Sequence, residues 1–152
     1  MKTLLNLADK EEILRRLNTV QPASQRRWGS MPAHNMICHL SDGFRLYMGE
    51  RLAKSISVPA PRALIKWFAL WSPFPWPHRF KTAPELDQRE GGTRPVEFDA
   101  DMRELRALTE RFTRQPRDFD WKPHPHFGEM SEREWNRLAY LHADHHLRQF
   151  GA

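Results

Sequence analysis

Apolar residues recur at helical intervals in four long segments of the chain, and each segment carries the marks of helix ends. The first is predicted to open at Asp9, where Asp9-x-x-Glu12 has the form of a capping box, and to bury Ile13, Leu14 and Leu17 before stopping ahead of Pro22. The second starts from Ser30 with Pro32 in its first turn and runs to about Lys54 through Ala33, Met36, Ile37, Leu40, Phe44, Tyr47 and Met48. A third takes Asp99 as its cap, carries Met102, Leu105, Leu108 and Phe112 on one face, and ends before Pro116. The fourth has the clearest start: Ser131-x-x-Glu134 is a capping box, Met130 can staple onto Trp135 across it, and Gly151 lies just beyond an end at Phe150.

Between the second and third segments, from Val58 to Pro84, the residues Pro59, Pro61, Pro73, Pro75, Pro77 and Pro84 surround one short apolar helix, Ala63 to Trp71. This is the pattern of a crossover. Its tryptophans Trp67, Trp71 and Trp76 are too apolar to leave in water, so the segment is expected to pack over the other helices or against a partner subunit. Glu90-Gly91-Gly92-Thr93 is expected to be a turn or mobile loop, and Trp121 to Gly128 a loop stiffened by its prolines. No segment joins two-residue alternation to β-branched enrichment, so no strand is predicted. The expectation is an all-α four-helix bundle with a long Pro/Trp-rich crossover between helices two and three, residues 1–152 forming a single domain.

At 152 residues the chain can bury a full core without covalent staples. Cys38 is its one cysteine and makes no internal disulfide, which points to a reducing, cytoplasmic compartment. The opening MKTLLNLADKEE does not resemble a signal peptide, and no apolar run approaches the ~20 residues of a membrane span. The net charge of +5 is spread among carboxylates, as where Glu132 and Glu134 bracket Arg133, so it reads as a solvated surface and not as a nucleic-acid stripe.

Chemistry concentrates in His142-Ala143-Asp144-His145-His146. Residues four apart lie one above the other on a helix, so His142 and His146 can turn two ring nitrogens on one ion. His142 sits mid-stripe with Trp135, Leu138 and Gln149, while His145 and His146 flank it on opposite edges. His142 can therefore pair with either, and the closer stacking favours His146. A third ligand from a facing helix would complete a catalytic-type site with an open position, and His39 is the candidate. The apolar arc of its helix centres about 100° away from it, but it shares an edge with Gly43 and Leu46 and so can face a cleft.

Cys38 is a soft potential ligand, yet it points about 100° from His39 and is expected to be a buried thiol. His34, His78 and His126 take surface or structural roles. No carboxylate stands out as a general base: Asp42 follows His39 by one turn and Asp144 faces away from the stripe. Gln149, on the metal face, is expected to support a ligand or contact substrate. His124 is expected either to do the same or to hold its loop by a backbone hydrogen bond.

Trp28-Gly29-x-Met31 leading to His39-Leu40, then His124-Pro125-x-Phe127-Gly128, Glu134-Trp135 and His142-x-x-His145-His146-Leu147-x-Gln149-Phe150, resembles the DUF1569 branch of the DinB-like superfamily. The likeness covers both ends of the chain; about Lys54 to Gly92 carries no matching motif. It implies an up-down-down-up four-helix bundle, often dimeric, with a divalent metal held by His39, His142 and His146. On that alignment His145 leaves the ligand set and joins His124 and Gln149 as a supporting or substrate-contacting residue.

Zinc or nickel suits three imidazoles best, with iron(II) also compatible. The implied activity is that of a metal-dependent enzyme of small-molecule chemistry, of hydrolase or thiol-dependent transferase type. The alternative is a non-enzymatic stress-response or binding module. A homodimer is expected from the apolar crossover. The branch has no settled function, so no substrate follows from the likeness.

Overall fold

The computed structural model describes residues 1–54, 60–78 and 82–152. Its regular elements are α-helices: α1 (Leu7–Leu17), α2 (Ala33–Tyr47), α3 (Arg62–Trp71), α4 (Phe98–Thr113) and α5 (Glu132–Gln149), with a 3₁₀ turn at Pro84–Leu86. Among the described residues there is no strand, only an isolated bridge between His124 and Gly128. The all-helical expectation therefore holds. Of the crossover, residues 58, 59 and 79–81 lie outside the described residues.

The helix ends show which local signals dominate. At α5 the Ser131 side chain accepts from the Glu134 N–H and the Glu134 carboxylate accepts from the Ser131 N–H, so the capping box forms in full. At α1 the cap is Asn6 and not Asp9: the Asn6 side chain accepts from the Asp9 N–H, while Asp9 accepts from the Thr3 N–H and pairs with Lys2. At α4 the cap is Glu97, two residues before the predicted Asp99, and its side chain accepts from the N–H groups of both Asp99 and Ala100.

The largest departure is at α2, which ends at Tyr47 and not near Lys54. Gly49 takes a left-handed φ of 77°, the Gly49 N–H donates to Leu46 and the Glu50 N–H to Arg45, which is a Schellman closure. The apolar periodicity into Met48 hid this stop.

α2 packs against α4 and α5, while α1 and α3 each pack against α5. The core joins Met36, Ile37, Leu40 and Phe44 of α2 to Leu105, Leu108 and Phe112 of α4 and to Trp135, Leu138 and Leu147 of α5, with Ile13 and Leu17 from α1. Each such side chain contributes about 1.5–3 kcal/mol by leaving water.

α3 is held on α5 through fully buried Leu70, whose carbonyl accepts from the Arg137 guanidinium, and through Lys66, which donates to the Glu129 carbonyl and pairs with Glu134. Beyond it the Trp76 indole donates to the Ala69 carbonyl and its ring lies 6.2 Å from that of His142. The crossover thus covers the histidine face of α5, as its apolarity predicts. Its outer residues Leu64 and Trp67 nevertheless stay 56% and 54% exposed in a single chain. No helix among the described residues is long and apolar enough to cross a membrane.

Candidate metal centre

The packing of α2 on α5 brings His39, His142 and His146 together. Their ligand nitrogens all lie within 4.8 Å of one another, and the Nε2 atoms of His39 and His142 are 3.0 Å apart. Two nitrogens bound tetrahedrally to one zinc ion stand roughly 3.4 Å apart, so the cluster is within a small adjustment of ligation. His39 is buried; the other two are part-buried, with an edge on the cavity that all three line.

Burial drives all three imidazoles below their usual range. His142 and His146 lie well below it, because each also faces another histidine whose charge would repel its own. At neutral pH they are uncharged and carry a lone pair, the form a metal requires.

Hydrogen bonds decide where those lone pairs point. His39 Nδ1 lies 2.9 Å from the Leu86 carbonyl, which can only accept, so Nδ1 carries the proton and Nε2 the lone pair. His146 Nδ1 lies 2.9 Å from Gln149 Oε1. The Gln149 amide is oriented in turn by donating from Nε2 to the Trp28 carbonyl, so His146 also keeps its lone pair on Nε2.

His142 differs. Its Nδ1 meets the buried Tyr47 hydroxyl at 2.8 Å, and that hydroxyl can donate or accept. With Tyr47 donating, His142 passes its Nε2 proton toward His39 and the chain closes on itself. With Tyr47 accepting, a second lone pair faces that of His39, an arrangement that a cation stabilises. The residues therefore fit a divalent ion, which would replace the shared proton between His39 and His142.

Glycine permits the approach of α2. A Cβ on Gly43 would meet the His142 ring at 3.2 Å, so a bare backbone at this position lets His142 sit against α2 beside His39. Gly29, at φ 73°, does the same for Gln149: a Cβ there would stand 2.8 Å from its Nε2.

Asp42 fixes the remaining wall. Its side chain is fully buried and accepts from Gln88 Nε2, from the Thr93 N–H and hydroxyl, and from the guanidinium groups of Arg45 and Arg51. Arg51 also donates to the Glu85 and Gly91 carbonyls. The Glu90–Thr93 stretch is thus a turn pinned to α2 and not a mobile loop. That pinning sets the Leu86 carbonyl against His39. Asp42 is fully engaged as a structural acceptor, which removes it as a general base.

The other candidates separate cleanly. Gln149 supports His146. His124 uses Nδ1 to accept from the His126 and Phe127 N–H groups and stacks on Phe127, which holds the loop, and it also lines the cavity; burial takes it down to about 3. Asp144 pairs with Arg16 and Arg148, away from the cluster, and Cys38 is buried as expected.

His145 stands beside His146 and edge-on to Trp28, and His78 stacks on Trp28 at 4.2 Å. Tyr47, Trp76 and His78 were not singled out by sequence as parts of the site, and Gly43 only as a neighbour on the edge of His39. A glycine one turn after His39 was the one available signal. Above the cluster opens a cavity of about 660 Å³ whose walls include Trp28, Leu46, Ile65, Phe68, Trp76 and Phe127.

Residues 63–152 match the family described as DUF1569, a protein of unknown function. That span contains His142 and His146, while His39 reaches them from outside it. No curated protein and no solved structure matches the chain. With more than half of its length matched to that one family, the chain belongs to DUF1569.

Proposed function

We propose that this chain is a metal-dependent enzyme acting on a small molecule, with His39, His142 and His146 holding one divalent ion, zinc or nickel. The reading includes a single DinB-like domain in which α1, α2, α4 and α5 form the four-helix bundle and α3 belongs to the crossover. One observation carries it: three neutral imidazoles converge at a roomy, largely apolar cavity, with proton positions that at His39 and His146 leave Nε2 to ligate. An ion bound there would supply Lewis-acid chemistry at neutral pH, suited to hydrolysis or to activating a thiol.

The chain's own groups do the rest. Leu86, Tyr47 and Gln149 orient the ligands, Trp28 and Trp76 offer flat apolar walls, and His145, taken down to about 4 by burial, is neutral and able to accept a substrate hydrogen bond. The substrate that fits is small and mostly apolar, with one atom able to ligate a metal.

Protein purified without a histidine tag is expected to hold about one divalent ion per chain at this site, and His142→Ala to lose more than the ~100-fold in affinity there that removing a supporting residue costs. Elemental analysis and competition with a chelator measure both. Wild-type protein that neither carries nor takes up a stoichiometric ion, or a His142→Ala variant with unchanged metal content, would remove this reading.

The exposed face of α3 favours a second reading, a non-enzymatic binding module, and on either reading a second copy of the chain is its proposed occupant. Sedimentation at micromolar concentration should return a dimer that Leu64→Glu with Trp67→Glu converts to monomer without loss of metal. A wild-type chain that stays monomeric contradicts the dimer.

A further inference from the structure

A second convergence of ligating groups lies round α2 from the histidine cluster. His34 and Cys38 stand one turn apart on α2, and both face Asp101 in the first turn of α4. An imidazole nitrogen, the thiol sulfur and a carboxylate oxygen here all lie within 4.8 Å of one another, and His34 Nε2 is 2.7 Å from Asp101 Oδ2. Cys38 is 1% exposed, while the His34 and Asp101 side chains keep 24% and 22%, so the group is closed on the core side and reachable from solvent.

Three uses of a cysteine beside a histidine and an aspartate can be compared. A disulfide is excluded, because Cys38 is the only cysteine in the chain. A nucleophile activated by histidine is excluded by connectivity: the thiol hydrogen-bonds Asp101, and His34 spends its Nε2 on that same carboxylate. Metal ligation would engage all three groups at once, because a divalent cation converts a buried thiol next to a carboxylate into a stable thiolate, while Asp101 Oδ2 meanwhile accepts from the Val96 N–H as well as meeting His34.

We propose that His34, Cys38 and Asp101 form a second metal site, of imidazole, thiolate and carboxylate type, which takes zinc and ties the start of α2 to the start of α4. On binding, the thiol proton leaves to solvent and the sulfur bonds the ion. The two negative ligands then balance the charge of the cation, so the completed site is neutral and suited to its part-buried position.

The site also answers a local need. α2 opens at Pro32 with no side-chain cap and no acidic residue in its first turn, so a ligated His34 anchors an end that the sequence leaves weak. The site shares no ligand with the three-histidine cluster and stands whether or not that cluster binds metal.

Cobalt(II) added to chelator-stripped, untagged protein, kept reduced with a phosphine and not a thiol, tests it. A thiolate bound to cobalt gives an intense sulfur-to-metal charge-transfer band in the near ultraviolet, which three imidazoles cannot produce. The wild-type chain should develop this band to one thiolate per chain, His142→Ala should keep it, Cys38→Ser should lose it, and Asp101→Asn should need at least about tenfold more cobalt to reach it. Added zinc should abolish it by displacement.

Saturating cobalt with no such band in the wild-type chain overturns the site. So does a band that disappears in a folded His142→Ala variant. Because the chain has one cysteine, the wild-type measurement decides the matter even if Cys38→Ser fails to fold.

Discussion

Acidifying the metal-free chain from about pH 7.5 to about pH 5.5 is expected to unfold it. Burial holds His39, His142 and His146 below the ordinary imidazole value of 6.5, takes His124 to about 3 and His145 to about 4. In the unfolded chain each of these groups binds a proton near 6.5, while in the folded chain it resists doing so. Below 6.5 the unfolded state therefore holds more protons, and stability falls as pH falls, by up to about 1.4 kcal/mol per histidine per pH unit.

Above 6.5 both states are neutral and the term vanishes. A typical domain has about 5–15 kcal/mol in hand, so several histidines acting together exhaust it within one to two pH units. The carboxylates held low by their partners, such as Asp9 and Asp101, withdraw their support only at lower pH, so a loss that begins at 6.5 identifies the histidines.

Urea midpoints measured across this range on chelator-treated protein should fall steeply. Saturating zinc or nickel should shift the fall to lower pH, since a ligated imidazole is closed to protons. A midpoint unchanged down to about pH 5.5 would show that these rings are not the buried neutral groups described above.

How much of this was legible in the sequence follows from the range of each interaction. The capping box at Ser131 and the 3.6-residue stripe of α5 are local, so they placed Trp135, Leu138, His142, His146 and Gln149 on one face correctly. The end of α2 was missed because the apolar periodicity runs on into Met48, although the stop itself is local: Gly49 in the left-handed region and a Schellman closure onto Leu46 and Arg45.

His39 illustrates the middle case. Its angle alone set it off the apolar arc, so the residues named it only as the candidate third ligand and the likeness to a family added to that; the 86–93 turn lies against that edge of α2, with the Leu86 carbonyl on its Nδ1. The roles of Tyr47 and Asp42 were out of reach, since a tyrosine on a core face and an aspartate after a histidine look ordinary until partners 95 and 51 residues away are in place.

Asp42 is where this long-range dependence is expected to be most costly. In Asp42→Ala the guanidinium groups of Arg45 and Arg51 lose a fully buried carboxylate, and Gln88 and Thr93 lose their acceptor. Removing one partner from such a network costs about 3–5 kcal/mol, which denaturant unfolding will read directly.

The consequence should extend to the metal site, although Asp42 touches no ligand. The turn it pins carries Leu86, whose carbonyl holds the His39 proton on Nδ1; once the turn is loose, the His39 lone pair is no longer fixed toward His142 and His146. Metal affinity is expected to drop by about 10–100-fold, the range for a residue that orients a ligand. Asp42→Asn retains the size of the side chain and part of its accepting capacity, so it should fall between wild type and Asp42→Ala in both measurements. If Asp42→Ala kept wild-type metal affinity while losing stability, the turn would be a structural brace alone, and the orientation of His39 would have to come from the packing of α2 itself.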